Sequence, residues 1–237
     1  MDKKIQESRD YWDAMAPKFD KFEVIMRQAW SVLVDNSYLQ VADSVLEIGC
    51  GRGACSSKIA SLLKPGAKFT ITDLSPNMIQ FATQNVTLSE NITIETANAL
   101  ELKFKDKSFD RYIANMTLHL VPDPDQMLRE SRRVLKDDGY ACFSVWGAPS
   151  KSLFFSLHED FERNFTIGKD LELLKRRCND AGFSRVSLWS VDCVYELWDA
   201  GRVVDFWKHE EIREKVQDAI NQGIPIGLEA VVIFCRP

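Results

Sequence analysis

The chain has 237 residues, of which 45% are hydrophobic, 27% charged and 11% aromatic, the profile of a globular protein with a sizeable core. Lysine and arginine number 30 against 35 aspartates and glutamates, a net charge of −5 with no basic arm, so a nucleic-acid partner lacks its electrostatic footprint. Residues 1–10 hold no apolar stretch, no apolar run approaches the ~20 residues of a membrane helix, and the six cysteines include no C-x-x-C pair. The expectation is a reduced, cytoplasmic protein without stable membrane insertion.

In chain order, residues 44–48 form a strand-like run that ends in Gly49-Cys50-Gly51-Arg52-Gly53. Residues 54–64 then place Cys55, Ile59 and Leu63 on one helical face, and Pro65-Gly66 stops the helix. A second strand over 68–72 ends at Asp73. Ser75-Pro76 is an N-cap with proline at the first helical position, and it opens a helix with Met78, Ile79, Ala82 and Val86 inward. Strands follow over 91–96 and 109–115. Asp123-Pro124 repeats the cap, Met127, Leu128, Val134 and Leu135 make that helix amphipathic, and Asp138-Gly139 ends it. Residues 140–146 are an apolar strand. Beyond Gly147 come an aromatic stretch (Phe154, Phe155, Phe161, Phe165), a helix around 169–181, a long strand over 185–197, a helix marked by Ile212, Val216, Ala219 and Ile220, and a terminal strand over 229–235.

Strands alternating with helices of 10–15 residues mean βαβ units on a parallel sheet. The expected fold is one doubly wound, Rossmann-like α/β domain over 1–237. It divides into a helical cap (1–40), a core (41–147), and insertions with closing strands (148–237).

Ligands of such sheets bind outside the carboxyl ends of the strands. The first such end is the glycine loop, where the following helix aims unpaired N–H groups. Gly49-x-Gly51-x-x-Ala54 formally satisfies the dinucleotide fingerprint, with Asp73 spaced for a ribose, so a nicotinamide-dependent oxidoreductase is one reading. Glu47 argues against it, because a carboxylate two residues before the loop favours a cationic ligand over a pyrophosphate. Gly53 is a further glycine that the dinucleotide pattern does not need.

The run Val45-Leu46-Glu47-Ile48-Gly49-Cys50-Gly51-Arg52-Gly53 resembles motif I, E-x-G-x-G, of the class I S-adenosylmethionine-dependent methyltransferases. Thr72 to Met78 looks like the second motif, Ala97-Asn98-Ala99-Leu100 with Ser108-Phe109-Asp110 like the third, and Leu118 to Asp123 and Arg133 to Gly139 like the landmarks around strands four and five. Tyr11-Trp12-Asp13 to Phe19-Asp20 is similar to the leader that caps the cofactor in the subgroup with ubiquinone/menaquinone C-methyltransferases. The resemblance runs from residue 11 to about 147.

What the resemblance implies is a mostly parallel methyltransferase sheet with an antiparallel C-terminal strand, and helical insertions after strands 5 and 6. It implies S-adenosyl-L-methionine as cofactor, S-adenosyl-L-homocysteine as product, and no metal. Carried over residue by residue, Glu47, Gly49, Cys50 and Gly51 would surround the methionine moiety and Asp73 would take the ribose hydroxyls. Leu74 and Met78 would lie against sugar and base, Asn98, Ala99 and Leu100 along the adenine, Asn115 and Met116 on the methionine side, and Tyr11 and Phe19 in the capping leader. The family's third motif usually has an acid where this chain has Asn98, which still hydrogen-bonds but carries no charge.

Other features weigh towards structure. The cysteines read as core residues rather than thiols for arsenic chemistry. Lys175-Arg176-Arg177 reads as a solvated helix face. The histidines lack metal spacing, and His158 and His209 read as surface residues. His119 follows the fourth strand's carboxyl end, where it is the candidate base for an O- or C-acceptor, or else a loop cap. Phe154, Phe155, Phe161, Phe165, Trp198, Phe206 and Trp207 pack extra helices, and part of the set is expected to wall the acceptor pocket. The acceptor is then a small apolar, aromatic or amine molecule. A non-catalytic cofactor-binding scaffold is the third reading.

Overall fold

Residues Ser44–Ile48 form β1, whose last four side chains are all buried, as a strand covered on both faces requires. In the computed structural model, which describes residues 3–157 and 166–237, β1 pairs in parallel with β2 (Lys68–Asp73) and β4 (Phe109–Ala114). β2 carries the edge strand β3 (Ile92–Thr96), and β4 pairs in parallel with β5 (Leu135–Trp146). β7 (Ile226–Arg236) runs antiparallel between β5 and β6 (Arg185–Glu196). The order β3-β2-β1-β4-β5-β7-β6 puts the reversal of strand order between β1 and β4. The expected doubly wound sheet, with its antiparallel C-terminal strand, is present.

Helices α1 (Lys3–Met15) and α2 (Glu23–Asp35) precede the sheet. α2 buries Ile25, Met26, Ala29, Trp30, Leu33 and Val34, a stripe at helical period that docks it on the core. Gln28 pins its flank, donating from Nε2 to the Val194 carbonyl at 2.7 Å and accepting from the Val194 N–H at 3.0 Å. α1 buries no residue. It is tied down by Asp13, whose Oδ1 accepts from Ser75 Oγ at 2.5 Å and from the Asn77 N–H at 3.2 Å.

The crossover helices are α3 (Ala54–Leu62), α4 (Pro76–Asn85) and α5 (Pro124–Val134). Ser75 and Asp123 cap α4 and α5 as their sequences predict, accepting from Met78 N–H at 3.0 Å and Gln126 N–H at 2.9 Å. After β5 come the short α6 (Leu153–Ser156), α7 (Leu171–Asp180), α8 (Ala200–Trp207) and α9 (Arg213–Asn221).

Three boundaries differ from the sequence reading. α3 stops at Leu62, because Pro65 disfavours a helical conformation in the residue before it and the last turn unwinds. α5 stops at Val134, and Asp138-Gly139 lies within β5, in an irregularity where Phe109 pairs with Leu135 but Arg111 pairs with Tyr140. β7 begins at Ile226, three residues earlier than expected, and α8 is the helical insertion expected after strand 6, whose bounds the periodicity does not place. Its signal is Asp199, whose Oδ1 accepts from the Gly201 N–H at 2.8 Å.

All six cysteines are free and buried, which is the core reading. At the amino ends of the strands, Asp110 Oδ2 accepts from the N–H groups of Asp43 and Ser44, and Arg111 Nε donates to the Ser37 carbonyl at 2.6 Å. Those buried charges hold the end of the sheet opposite the glycine loop. Among the described residues, no helix is long and apolar enough to cross a membrane, and no group of three His, Cys, Asp or Glu stands together to hold a metal.

Candidate active site

The chain leaves β1 through Gly49, Gly51 and Gly53, all with positive φ (+69°, +53° and +87°), a region that glycine enters without steric cost. Gly49 has a second reason to lack a side chain, since a Cβ there would lie 2.2 Å from Thr117 Oγ1. A Cβ on Gly53 would press on Ala82 and Val86 of α4, so the third glycine serves helix packing. On Gly51 a Cβ would meet only the Phe19 ring, at 3.5 Å. That surface of the loop faces a cavity of about 150 Å³.

The loop is held by a carboxylate at the end of β2. Asp73 Oδ2 accepts from the Gly51 N–H at 2.9 Å, and Oδ1 from the Ser75 N–H at 2.9 Å. A carboxylate has about four lone-pair positions, so Asp73 keeps acceptor capacity towards the cavity it lines. Glu47 is 2% exposed and accepts from Ser56 Oγ at 2.5 Å. Burial pushes its carboxyl up to about 7 and that of Asp73 up to about 6. Both acids therefore favour a ligand that brings positive charge or hydroxyl donors.

Thirteen of the fourteen residues expected at the cofactor line this cavity: Phe19, Glu47, Gly49, Cys50, Gly51, Asp73, Leu74, Met78, Asn98, Ala99, Leu100, Asn115 and Met116. Tyr11 does not; it lines a neighbouring, larger cavity, while the adjacent Trp12 lines both. Asn98 is turned to its own loop, with Oδ1 accepting from the Leu100 N–H at 3.1 Å. Asn115 Oδ1 accepts from Ser144 Oγ at 2.7 Å, and that hydroxyl oxygen accepts from the Met116 N–H at 2.9 Å. Met116 itself is held at φ +51°.

The larger cavity, about 930 Å³, shares Ser8, Trp12, Phe19, Met26, Met116, Leu120, Val121 and Pro122 with the first. Its own walls include Tyr11, Phe22, Trp146, Ile167, Arg177 and His119. His119 is 7% exposed, its ring lies 5.6 Å from that of Trp146, and neither ring nitrogen has a hydrogen-bond partner among the described residues. It caps no loop. Burial lowers its pKa to about 3, so the imidazole is neutral.

Of the aromatic residues expected to pack the extra helices or wall the pocket, Phe154, Phe206 and Trp207 do the former and, among the described residues, line neither cavity. They pack with Tyr195 and Phe22 at ring-centroid distances of 4.7 to 6.4 Å, while Trp198 is 81% exposed. The aromatic walls come instead from the leader and from Trp146. Phe161, Phe165, His158 and the Phe155 side chain lie outside the described residues. Lys175 and Arg176 are solvated as expected, but Arg177 turns onto the larger cavity. His209 is exposed, beside Glu211.

Thr117, to which the sequence assigns no role, lines the first cavity, and Leu120, Val121 and Pro122, expected only as landmarks around strand four, line both. All four stand in the loop after β4 that follows the reversal of strand order.

A glycine loop clamped by the acid of β2, with a buried acid behind it, lines the smaller cavity at the carboxyl ends of the strands. Residues 46–143 match the model of the methyltransferase domain family. Over 150 residues the chain is 32% identical to the ubiquinone/menaquinone biosynthesis C-methyltransferase UbiE of Hahella chejuensis, covering 60% of each protein. It is 37% identical over 110 residues to the demethylmenaquinone methyltransferase of Listeria monocytogenes, covering 45% of this chain and 46% of that one. The matches thus span about half of these relatives' length.

Among solved structures, the putative methyltransferase of Haloferax volcanii, determined in complex with the Trm112 methyltransferase activator, superposes with a TM-score of 0.72 at 20% identity, covering 95% of this chain and 96% of that one. A phosphoethanolamine N-methyltransferase 2 of Haemonchus contortus, bound to phosphomonomethylethanolamine and S-adenosylhomocysteine, gives 0.69 at 19% identity, covering 97% and 60%. These likenesses establish the fold. Residues 46–143 thus carry the methyltransferase domain that the matching model describes.

Proposed function

We propose that this protein transfers a methyl group from S-adenosylmethionine to a small-molecule acceptor. The observation that carries the reading is the pair of cavities meeting at Met116 and Leu120: one sets the glycine loop and the carboxylates of Glu47 and Asp73 among apolar side chains, the other sets aromatic side chains around an imidazole that has no hydrogen-bond partner among the described residues. Residues 41–147 hold the cofactor, and the leader with residues 148–237 shapes the acceptor side. The donor set fits the cofactor, because the spare acceptor capacity of Asp73 suits ribose hydroxyls, and Glu47 suits an ammonium.

When bound, S-adenosylmethionine supplies an activated methyl on a sulfonium that an in-line nucleophile displaces, leaving S-adenosylhomocysteine. The chain's own work is alignment and exclusion of water. Glu47 and Asp73 fix the two ends of the cofactor. Met116 stands where both cavities meet and bounds the path of approach. Trp12 and Phe19, 5.9 Å apart edge to face, roof both cavities. His119 meets the acceptor as a neutral hydrogen-bond partner; because burial lowers its pKa to about 3 in the free protein, it serves as base towards an attacking O–H or acidic C–H only as the negative charge developing on that atom stabilises the imidazolium. A neutral amine acceptor needs no such transfer.

Calorimetric titration with S-adenosylhomocysteine, run beside NAD and NADH, tests the reading. Saturable binding of the thioether alone is expected. Binding of the dinucleotides alone would replace the reading with the oxidoreductase, and binding of neither would favour a scaffold.

A further inference from the structure

We propose that the acceptor carries an anionic oxygen group, of the carboxylate, sulfonate or phosphate kind, and that Arg177 selects for it. The inference rests on the larger cavity being the acceptor chamber. Its described lining is mainly apolar, with Trp12, Phe22, Trp146 and Ile167 among its walls, and Arg177 is the only cationic side chain among those lining residues.

Arg177 belongs to the basic triplet of α7, yet its environment differs from that of its neighbours. Leu174 and Cys178 are buried and fasten α7 to the core, while Leu173 and Arg177, one turn apart, both face the chamber. The guanidinium is held from one side by Asp125: Nε lies 2.9 Å from Oδ1, and Nη2 donates to Oδ2 at 3.3 Å. Arginine has five N–H donors in a rigid plane, so this fork leaves the Nη1 edge open. Asp125 sits in the first turn of α5, where the helix N-terminus already favours its negative charge. The aspartate orients the guanidinium through an ion pair with one hydrogen bond, from Nη2, and the planar donor edge left over is what bidentate recognition of an anionic oxygen pair requires.

A second observation points to a polar ligand in the same chamber: His119 is buried, lines it, and has both nitrogens unpartnered among the described residues. Arg177 comes from α7 and His119 from the loop after β4. An acceptor that touches both spans the chamber, with its apolar body against the aromatic walls. A volume of about 930 Å³ accommodates such a molecule, since small-molecule sites run from ~300 to ~1,000 Å³. The rival polar group is Glu7, which also lines the chamber and would suit an amine, but it is exposed on α1 and paired with Lys3 at 3.8 Å.

The test uses two aromatic probes of similar shape, the anion 1-anilinonaphthalene-8-sulfonate and neutral N-phenyl-1-naphthylamine, titrated by fluorescence with and without S-adenosylhomocysteine. In Arg177→Met the anionic probe should lose about tenfold or more in affinity while the neutral probe stays within about twofold, and Arg177→Lys should restore part of the loss. Equal losses for both probes would make Arg177 a packing residue and overturn the proposal. So would an unchanged affinity for the anion, or failure of the wild type to bind it. S-adenosylhomocysteine affinity is read on the same samples. Its absence in the wild type would overturn the methyl-transfer reading and leave the anion selectivity standing.

Discussion

The two cavities that meet at Met116 are built by different means. The smaller one is lined by the ends of four adjacent parallel strands, and its key contacts involve backbone: the glycine loop, the N–H groups that Asp73 receives, and the Asn115–Ser144–Met116 chain. The larger one is assembled from side chains of α1, α2, the loop after β4, the end of β5 and α7, elements far apart in sequence. A surface made of backbone is fixed by the fold and tolerates little change of ligand. A surface made of side chains on separate elements changes with single substitutions while the sheet stays as it is.

Replacements on the two sides should therefore separate cleanly. The largest effect is expected from His119→Gln, which should lower kcat by about 10²-fold or more for an O- or C-acceptor and leave S-adenosylhomocysteine affinity unchanged. Steady-state kinetics beside calorimetry checks both, and an unchanged kcat would point to an amine acceptor. Next comes Asp73→Ala, which removes the acceptor of two backbone N–H groups together with the ribose contact. It should weaken S-adenosylhomocysteine binding about 10²-fold, and an unaltered titration would break the ribose assignment.

Smaller and graded is the pH dependence. Burial pushes Glu47 up to about 7 and Asp73 up to about 6, so a cationic ligand needs protons removed first. Affinity for S-adenosylmethionine should rise about tenfold between pH 6 and pH 8, and Glu47→Gln should flatten most of that rise. The stability of the free protein runs the opposite way. An acid whose folded pKa is raised contributes stability below its ordinary pKa and loses it as pH rises through the raised value. Thermal melting of the ligand-free protein should accordingly decline from pH 5 to pH 8. His119 works against that decline: burial lowers its pKa to about 3 from the ordinary 6.5, so its contribution is regained as pH rises through the ordinary value and the net slope is shallower than the two acids alone would give.

How much was legible follows from the same contrast. β1, the loop and Asp73 sit within about thirty residues, and each carries a local signal: a buried strand, glycines at positive φ, an N-cap before proline. The aromatic clusters were harder, because composition gives no direction to a side chain. Phe154, Phe206 and Trp207 carry the same apolar character as Trp12 and Phe22, and only the docking of α2 decides which set faces the chamber. Arg177 shows the limit at a single residue. Within Lys175-Arg176-Arg177, helical phase and the distant Asp125 separate one arginine from its two neighbours, and neither is written in the triplet.

Met116 carries a consequence of its own. A non-glycine residue at φ +51° costs about 1–2 kcal/mol, and the Ser144 hydroxyl holds it there through its N–H. Met116→Gly relieves that strain but empties a buried position of the core, a loss of about 2–5 kcal/mol for a truncated methionine, so the melting temperature should fall. It should also leave the doorway between the two chambers without its post, so that water reaches the sulfonium. The same protein would then be frailer and more wasteful, passing methyl groups to water as methanol in place of the acceptor.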